Sequence, residues 1–222
     1  MQKLILKKGL QPVIIAGAVW SLLGCESAYY KTMETMGYHK RDILVERVSE
    51  ARDAQEEAKE QFESALEKFS SVLGFKGGSL QEKYDQLNAE YEKSEAKAAA
   101  VRSRIASVED VAGDLFAEWQ EELKQYTSSS LRQSSARKLR ETQKKYAQLI
   151  MAMKRAEGKI DPVLSAFRDQ VLYLKHNLNA QAIASLQTEL TSIETDVAGL
   201  IKEMENSIKE ANAFIRSMEK SE

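Results

Sequence analysis

The 222-residue chain predicts an all-α fold, an elongated antiparallel bundle of about four long helices with coiled-coil-like packing, and three observations predict it. Apolar residues recur in alternating steps of three and four over most of the chain. Beyond residue 24 there is one proline, Pro162, and seven glycines, too few for the turns of a many-stranded sheet. The composition, 30% charged and only 7% aromatic, is that of chains that form long helices.

The first apolar seam runs Leu44, Val48, Ala51, Gln55, Ala58, Phe62, Ala65, Phe69, Val72. The second runs Leu80, Tyr84, Leu87, Tyr91, Ser94, Ala98, Val101, Ile105, Val108, Ala112, Leu115, Trp119, Glu122, Tyr126. The third is Leu139, Thr142, Tyr146, Leu149, Met153, Ala156, Ile160, Val163, Phe167, Gln170, Leu174, and the fourth is Ile183, Leu186, Leu190, Ile193, Val197, Leu200, Met204, Ser207, Ala211, Phe214, Met218. Thirty-nine of these forty-five positions are apolar, about twice what the composition alone supplies, so the period reflects buried helix faces. Gln55, Ser94, Thr142 and Gln170 interrupt the seams, and polar residues in such a core fix register at some cost in stability.

Three breaks divide the seams. Gly74-Phe75-Lys76-Gly77-Gly78 disfavours helix, and Ser79-Leu80-Gln81-Glu82 has the pattern of a capping box that restarts one. Thr127-Ser128-Ser129-Ser130 offers hydroxyls for stopping one helix and capping the next, and Asn177-Leu178-Asn179 separates the last two seams. Connections this short force antiparallel neighbours, which gives helices near 40–73, 80–126, 131–176 and 181–220. Gly158 and Asp161-Pro162 have the makings of a cap and a helix start that would split the third helix, yet the seam keeps its phase through Ala156, Ile160, Val163 and Phe167. That predicts a kink or a one-turn interruption rather than a redirected chain.

The first 39 residues follow different rules. Met1 to Lys8 is a basic segment, and Pro12 to Leu23 is an apolar run of about a dozen residues, shorter than the roughly 20 needed to span a bilayer. It ends in Leu22-Leu23-Gly24-Cys25, which resembles a bacterial lipobox, with small Gly24 before the scissile bond and a cysteine thiol to take the diacylglycerol. Cys25 is the only cysteine, so neither a disulfide framework nor a thiolate metal site accounts for it. At about 0.8 kcal/mol per buried methylene, several acyl chains would hold the protein at a membrane effectively irreversibly. In enterobacterial lipoproteins an aspartate after the cysteine favours the inner membrane, so Glu26 leans toward the outer one. The expected organisation is therefore a signal peptide over 1–24, a lipidated N-terminus and linker over 25–39, and one helical domain over 40–222. The location expected is the cell envelope, at the periplasmic face of the outer membrane.

Without its leader the chain has 29 basic residues against 34 acidic, a net of −5, so no global attraction to nucleic acid is expected. The charge is unevenly spread. Glu109, Asp110, Asp114, Glu118, Glu121 and Glu122 approach the serine-rich turn, and Arg132, Arg137, Lys138, Arg140, Lys144 and Lys145 leave it. Folded antiparallel, acid would face base in salt bridges that select the partner helix; the sharper alternative makes the basic run a contact for lipid phosphate headgroups.

Catalytic patterns are sparse. His39 and His176, the only histidines, fall near opposite ends of the rod and are not expected to share a metal; His176 is expected to meet carbonyls at a helix C-terminus. The glycines from Gly74 to Gly78 are not followed by the Lys-Ser or Lys-Thr of a phosphate loop. No enzyme activity, catalytic residue, metal or cofactor is expected.

The stretches Tyr38-His39-Lys40-Arg41-Asp42-Ile43-Leu44-Val45, Ala51 through Lys59, Phe167-Arg168-Asp169-Gln170-Val171 and Lys175-His176-Asn177-Leu178-Asn179-Ala180 resemble the bacterial family catalogued as domain of unknown function 2959. The resemblance spans nearly the whole mature chain. It implies a proteobacterial envelope protein and brings no active site; members sometimes labelled DNA-repair ATPases have no counterpart motif here.

Three functions remain in play. A membrane-tethered helical scaffold or adaptor, presenting its length to an envelope protein or to a second copy, is the leading expectation. A bundle that binds lipid, peptidoglycan or a small ligand would need a cavity where Ala98 to Ala100 or Ala112-Gly113 thin the core. An enzyme or nucleic-acid-associated coiled coil comes last.

Overall fold

The structure of the protein, a computed structural model, describes residues 40–73, 79–177 and 180–220. The leader, Cys25, His39, the glycine segment Gly74 to Gly78, and Leu178 and Asn179 lie outside the described residues. The described residues form four helices: α1 (Lys40–Leu73), α2 (Leu80–Glu122), α3 (Ser129–His176) and α4 (Ala180–Glu219). Each packs on its two neighbours in the ring α1, α2, α3, α4, with α4 returning onto α1, so the four stripes close around one core. At about 1.5 Å per residue α3 alone is about 70 Å long.

Most seam positions lie in the core, but Leu80, Tyr84, Tyr91, Trp119, Thr142, Tyr146 and Leu190 are only partly covered, Glu122 and Tyr126 are exposed, and the side chain of Ile183 lies outside the description. All nine seam positions of α1 are buried, as are the α2 positions Leu87, Ser94, Ala98, Val101, Ile105, Val108, Ala112 and Leu115. In α3 the buried run is Leu139, Leu149, Met153, Ala156, Ile160, Val163, Phe167, Gln170 and Leu174. In α4 it is Leu186, Ile193, Val197, Leu200, Met204, Ser207, Ala211, Phe214 and Met218. Ile43, Val111, Ala152, Leu164 and Val171 flank the seams and are also buried, widening each stripe beyond the two-per-heptad seam of a pure coiled coil. Phe167 crosses the core from α3 toward α1, its ring 4.5 Å from that of Phe69 and 6.3 Å from that of Phe62. Offset ring stacks of this kind add about 0.5–1.5 kcal/mol to the burial itself.

Register follows from pairs at the helix edges. Lys97 bonds Glu57 at 2.7 Å and Arg104 bonds Glu50 at 3.0 Å, which aligns α2 against α1. Arg102 with Asp161 and Lys154 with Glu109 align α2 against α3, Arg155 with Glu203 aligns α3 against α4, and Arg52 with Asn212 aligns α4 against α1. These pairs are largely exposed and each contributes at most about 1 kcal/mol, so they select alignment more than they hold the bundle.

The ends match the capping chemistry. Ser79 caps α2, its hydroxyl accepting from the Glu82 amide at 3.3 Å, and Ser128 caps α3 by accepting from the Leu131 amide at 3.4 Å. Helix α2 stops four residues before the expected 126, because the amides of Lys124 and Gln125 turn back to the Glu121 and Glu122 carbonyls and tighten the last turn. At the end of α3 the Asn177 side-chain amide, rather than His176, donates to the Tyr173 carbonyl at 2.9 Å.

Pro162 does not interrupt α3, which is helical from Ser129 to His176. A proline removes one hydrogen bond and crowds the carbonyl four residues back, here that of Gly158. Gly158 and Pro162 are both exposed, and a Cβ at Gly158 would meet nothing within 4 Å, so the unpaired carbonyl faces water. The continuous seam on the opposite face outweighs the lost bond.

Among the described residues, four polar side chains sit in the core: Gln55, Ser94, Gln170 and Ser207. Ser94 returns its hydroxyl to the Glu90 carbonyl at 2.8 Å. Both amide atoms of Gln55, the Gln170 carbonyl and the Ser207 hydroxyl find no partner in the protein. The Arg52–Asn212 pairing puts Gln55 and Ser207 within about one helical turn of the same level. A buried unpaired amide costs about 1–3 kcal/mol. Gln55→Met, which keeps the shape and removes the amide, is therefore expected to raise the denaturation midpoint by about that much free energy with an unchanged denaturant slope; a lower midpoint would show that the amide is satisfied in solution.

Candidate functional site

The basic run occupies the first five turns of α3. Ser128 and the Thr127 to Ser130 segment start the helix, and the indole N–H of Trp119 donates to the Ser135 hydroxyl at 2.8 Å, tying the end of α2 to that start. Leu139 is buried beneath, and Arg132, Arg137, Lys138, Arg140, Lys144 and Lys145 are all exposed. At 3.6 residues per turn the last five, with Glu141 among them, cover an outward arc of roughly 160°, while Arg132 lies off it nearer the hairpin tip.

The expected acid-to-base pairing across the hairpin is not what the helices adopt. Glu109 bonds Lys154 at 2.8 Å, Glu118 bonds Lys40 at 3.0 Å, and Glu121 bonds Lys124 at 2.6 Å within its own turn. The six bases are exposed on α3, while Lys154, beyond the run, takes Glu109 and Lys40, at the start of α1, takes Glu118. Among the described residues none of the six basic side chains pairs with a carboxylate.

Exposed apolar side chains accompany this region. Leu131 is 59% exposed and Tyr126 39% exposed at the turn, and Met151, two turns beyond Lys144, is 58% exposed. Sequence reasoning missed all three, because Tyr126 was assigned to a seam that ends earlier and Leu131 and Met151 belong to none. The signal for Met151 was its place in line with Arg140 and Lys144 on the outer face.

Two hollows bear on ligand binding. A groove of about 310 Å³ runs along α1 and α4, lined by Glu56, Lys59, Glu205, Ile208, Lys209, Asn212 and Arg216, and lies open to solvent. A hollow of about 10 Å³ lies inside the core among Phe69, Leu87, Gln170, Leu186, Leu190 and Ile193, at the lower limit for one water molecule. Neither is lined by Ala98 to Ala100 or Ala112-Gly113; Ala98 and Ala112 are fully buried. Among the described residues no group of three His, Cys, Asp or Glu side chains could hold a metal, and His176 is exposed.

Shifted titrations reflect structural contacts. Lys154 is held above its usual range by its hydrogen bond to Glu109, against desolvation. Burial would raise Glu90, but hydrogen bonds from Lys93 and Gln61 outweigh it and leave the carboxyl below its usual value. Tyr146, packed edge-on against Phe116 with ring centroids 5.4 Å apart, is pushed from 10.0 up to about 12 by burial and then by the negative charge of Glu109.

The described helices define a class, the antiparallel four-helix bundle closed by its own chain. Within that class the protein belongs to the family described as Protein of unknown function (DUF2959), whose model matches residues 29–218. Comparison with curated proteins gives no match.

A phenol raised in the folded state contributes stability that is complete below about pH 10 and disappears as pH rises through about 12. Spectrophotometric titration is expected to show two tyrosines, Tyr91 and Tyr146, ionising near 12, of which Tyr146→Phe removes one and Glu109→Gln lowers the same one; an unchanged amplitude near 12 in Tyr146→Phe would place Tyr146 in water.

Proposed function

We propose that the chain is a bacterial envelope lipoprotein, acylated at Cys25, whose bundle serves as a non-catalytic scaffold or adaptor at the periplasmic face of the outer membrane. The observation that carries the reading is the sequence Leu22-Leu23-Gly24-Cys25, closing a short apolar run behind a basic start, with the chain's one cysteine in the acceptor position. Among the described residues no helix is long and apolar enough to cross a membrane, and the apolar run Pro12 to Leu23 is itself shorter than a span.

The packing supports a scaffold over a ligand carrier. The hollow among Phe69, Leu87, Gln170, Leu186, Leu190 and Ile193 holds only about 10 Å³, whereas carriers of small ligands enclose several hundred. What the bundle offers instead is length and outer faces, to be met by an envelope protein or by a second copy. In-cell crosslinking would identify which.

Acylation is tested by metabolic labelling. The wild-type chain is expected to incorporate palmitate and to accumulate unprocessed in globomycin, and Cys25→Ser to lose the label. A labelled Cys25→Ser chain, or a wild-type chain that carries no label, would overturn the tether.

A further inference from the structure

We propose that the outward face of the first half of α3, with the tip of the α2–α3 hairpin, binds the anionic phospholipid surface of a bilayer. The inference deepens the tethered-scaffold reading by giving the bundle a second, reversible contact that sets its orientation, and it relies on that reading only for which bilayer is met.

Local charge is the first support. Residues 129–148 hold six basic side chains and one acidic, Glu141, a net of +5 on a mature chain whose net is −5. The rest of the chain would be repelled by an anionic surface and this face attracted, which orients the rod. All six bases are exposed, and none is engaged by a carboxylate among the described residues, so contact with phosphates breaks no existing ion pair.

Apolar exposure is the second. Met151 stands on the same outward arc as Arg140 and Lys144, and Tyr126 and Leu131 stand at the turn. Basic side chains interleaved with exposed apolar ones are the pattern of a face that lies on a membrane, with cations at the phosphates and the apolar groups entering the headgroup boundary. Nucleic acid or an acidic protein would use the cations but leave Met151 and Leu131 without a role.

Position is the third. Lys40, the first residue of α1, bonds Glu118 near the end of α2, so the chain enters the bundle at the end that carries this tip. Residues 26–39 span at most about 50 Å when extended, so a bilayer holding Cys25 lies within reach of the tip. A rod tilted tip-down presents Arg137, Arg140, Lys144 and Met151 to one plane, with Lys138 and Lys145 reaching in from the flanks.

The test uses the full mature chain with Cys25→Ser, so that no acyl chain contributes. Partition is measured onto vesicles of phosphatidylglycerol with phosphatidylcholine and onto phosphatidylcholine alone. The expected result is binding to the anionic vesicles only, weakened by salt. Arg137→Glu/Lys138→Glu/Arg140→Glu is expected to reduce it at least about tenfold, while Lys175→Glu/Lys202→Glu/Lys209→Glu, an equal change of charge elsewhere, has a much smaller effect. Equal loss in the two triple variants, or equal binding to both vesicles, overturns the proposal.

A second measurement keeps the test decisive where the untethered chain binds weakly. The acylated protein, labelled with a polarity-sensitive dye at Met151→Cys, is expected to shift to the blue in anionic vesicles and not in zwitterionic ones; no shift in either overturns the proposal. Loss of the palmitate label would overturn the tether alone and leave the vesicle result standing.

Discussion

Exclusion of water from four apolar stripes, each recurring every three or four residues and each facing two others, is the constraint on which the remaining structure depends. A single helix of this composition gains little from its own propensity, and most of its stability comes from burying one face. In the bundle that face runs for about eight to ten turns of each helix, so the helices tolerate features that would disrupt a shorter one. Pro162 in mid-helix and three orphaned polar side chains in the core are carried by the packing around Ile160, Val163 and Phe167. The surface ion pairs act within that frame, and the geometry of the core decides which of them can form.

The division between what was legible in the sequence and what was not follows from this hierarchy. Period is a local property of the chain, so the buried runs from Leu44 to Val72 and from Leu186 to Met218 could be read position by position. Caps are local as well, and Ser79 and Ser128 stand where hydroxyl chemistry puts them. Pairing between helices is not local. The acidic end of α2 and the basic start of α3 are adjacent in sequence and opposite in sign, yet Glu109 meets Lys154 and Glu118 meets Lys40, because the partner of each is set by the side of the helix a residue occupies and by the arrival of α1. The exposure of Met151 likewise depends on which side of α3 the other helices occupy.

That failed pairing shaped the candidate site. Had the six basic residues found carboxylates across the hairpin, the tip would be a neutral joint between helices. Left unpaired beside Tyr126, Leu131 and Met151, they give this end of the bundle a basic surface with exposed apolar groups. Buried polar groups are a separate matter: Gln55 and Ser207 are buried without hydrogen-bond partners, and neither lines the groove along α1 and α4 or the small hollow beside Phe69. The family match, residues 29–218, covers the described bundle up to Met218.

Closure of the core by α4 returning onto α1 of the same chain is the central claim, and one crosslinking measurement tests it most directly. Arg52 and Asn212 face each other across that junction, with their side chains 3.2 Å apart. In a Cys25→Ser background, Arg52→Cys/Asn212→Cys treated with a short bis-maleimide is predicted to give a crosslink within one chain, migrating as a monomer at every protein concentration. A product formed only between chains, or none while the helices remain intact by circular dichroism, would contradict a bundle closed by its own fourth helix.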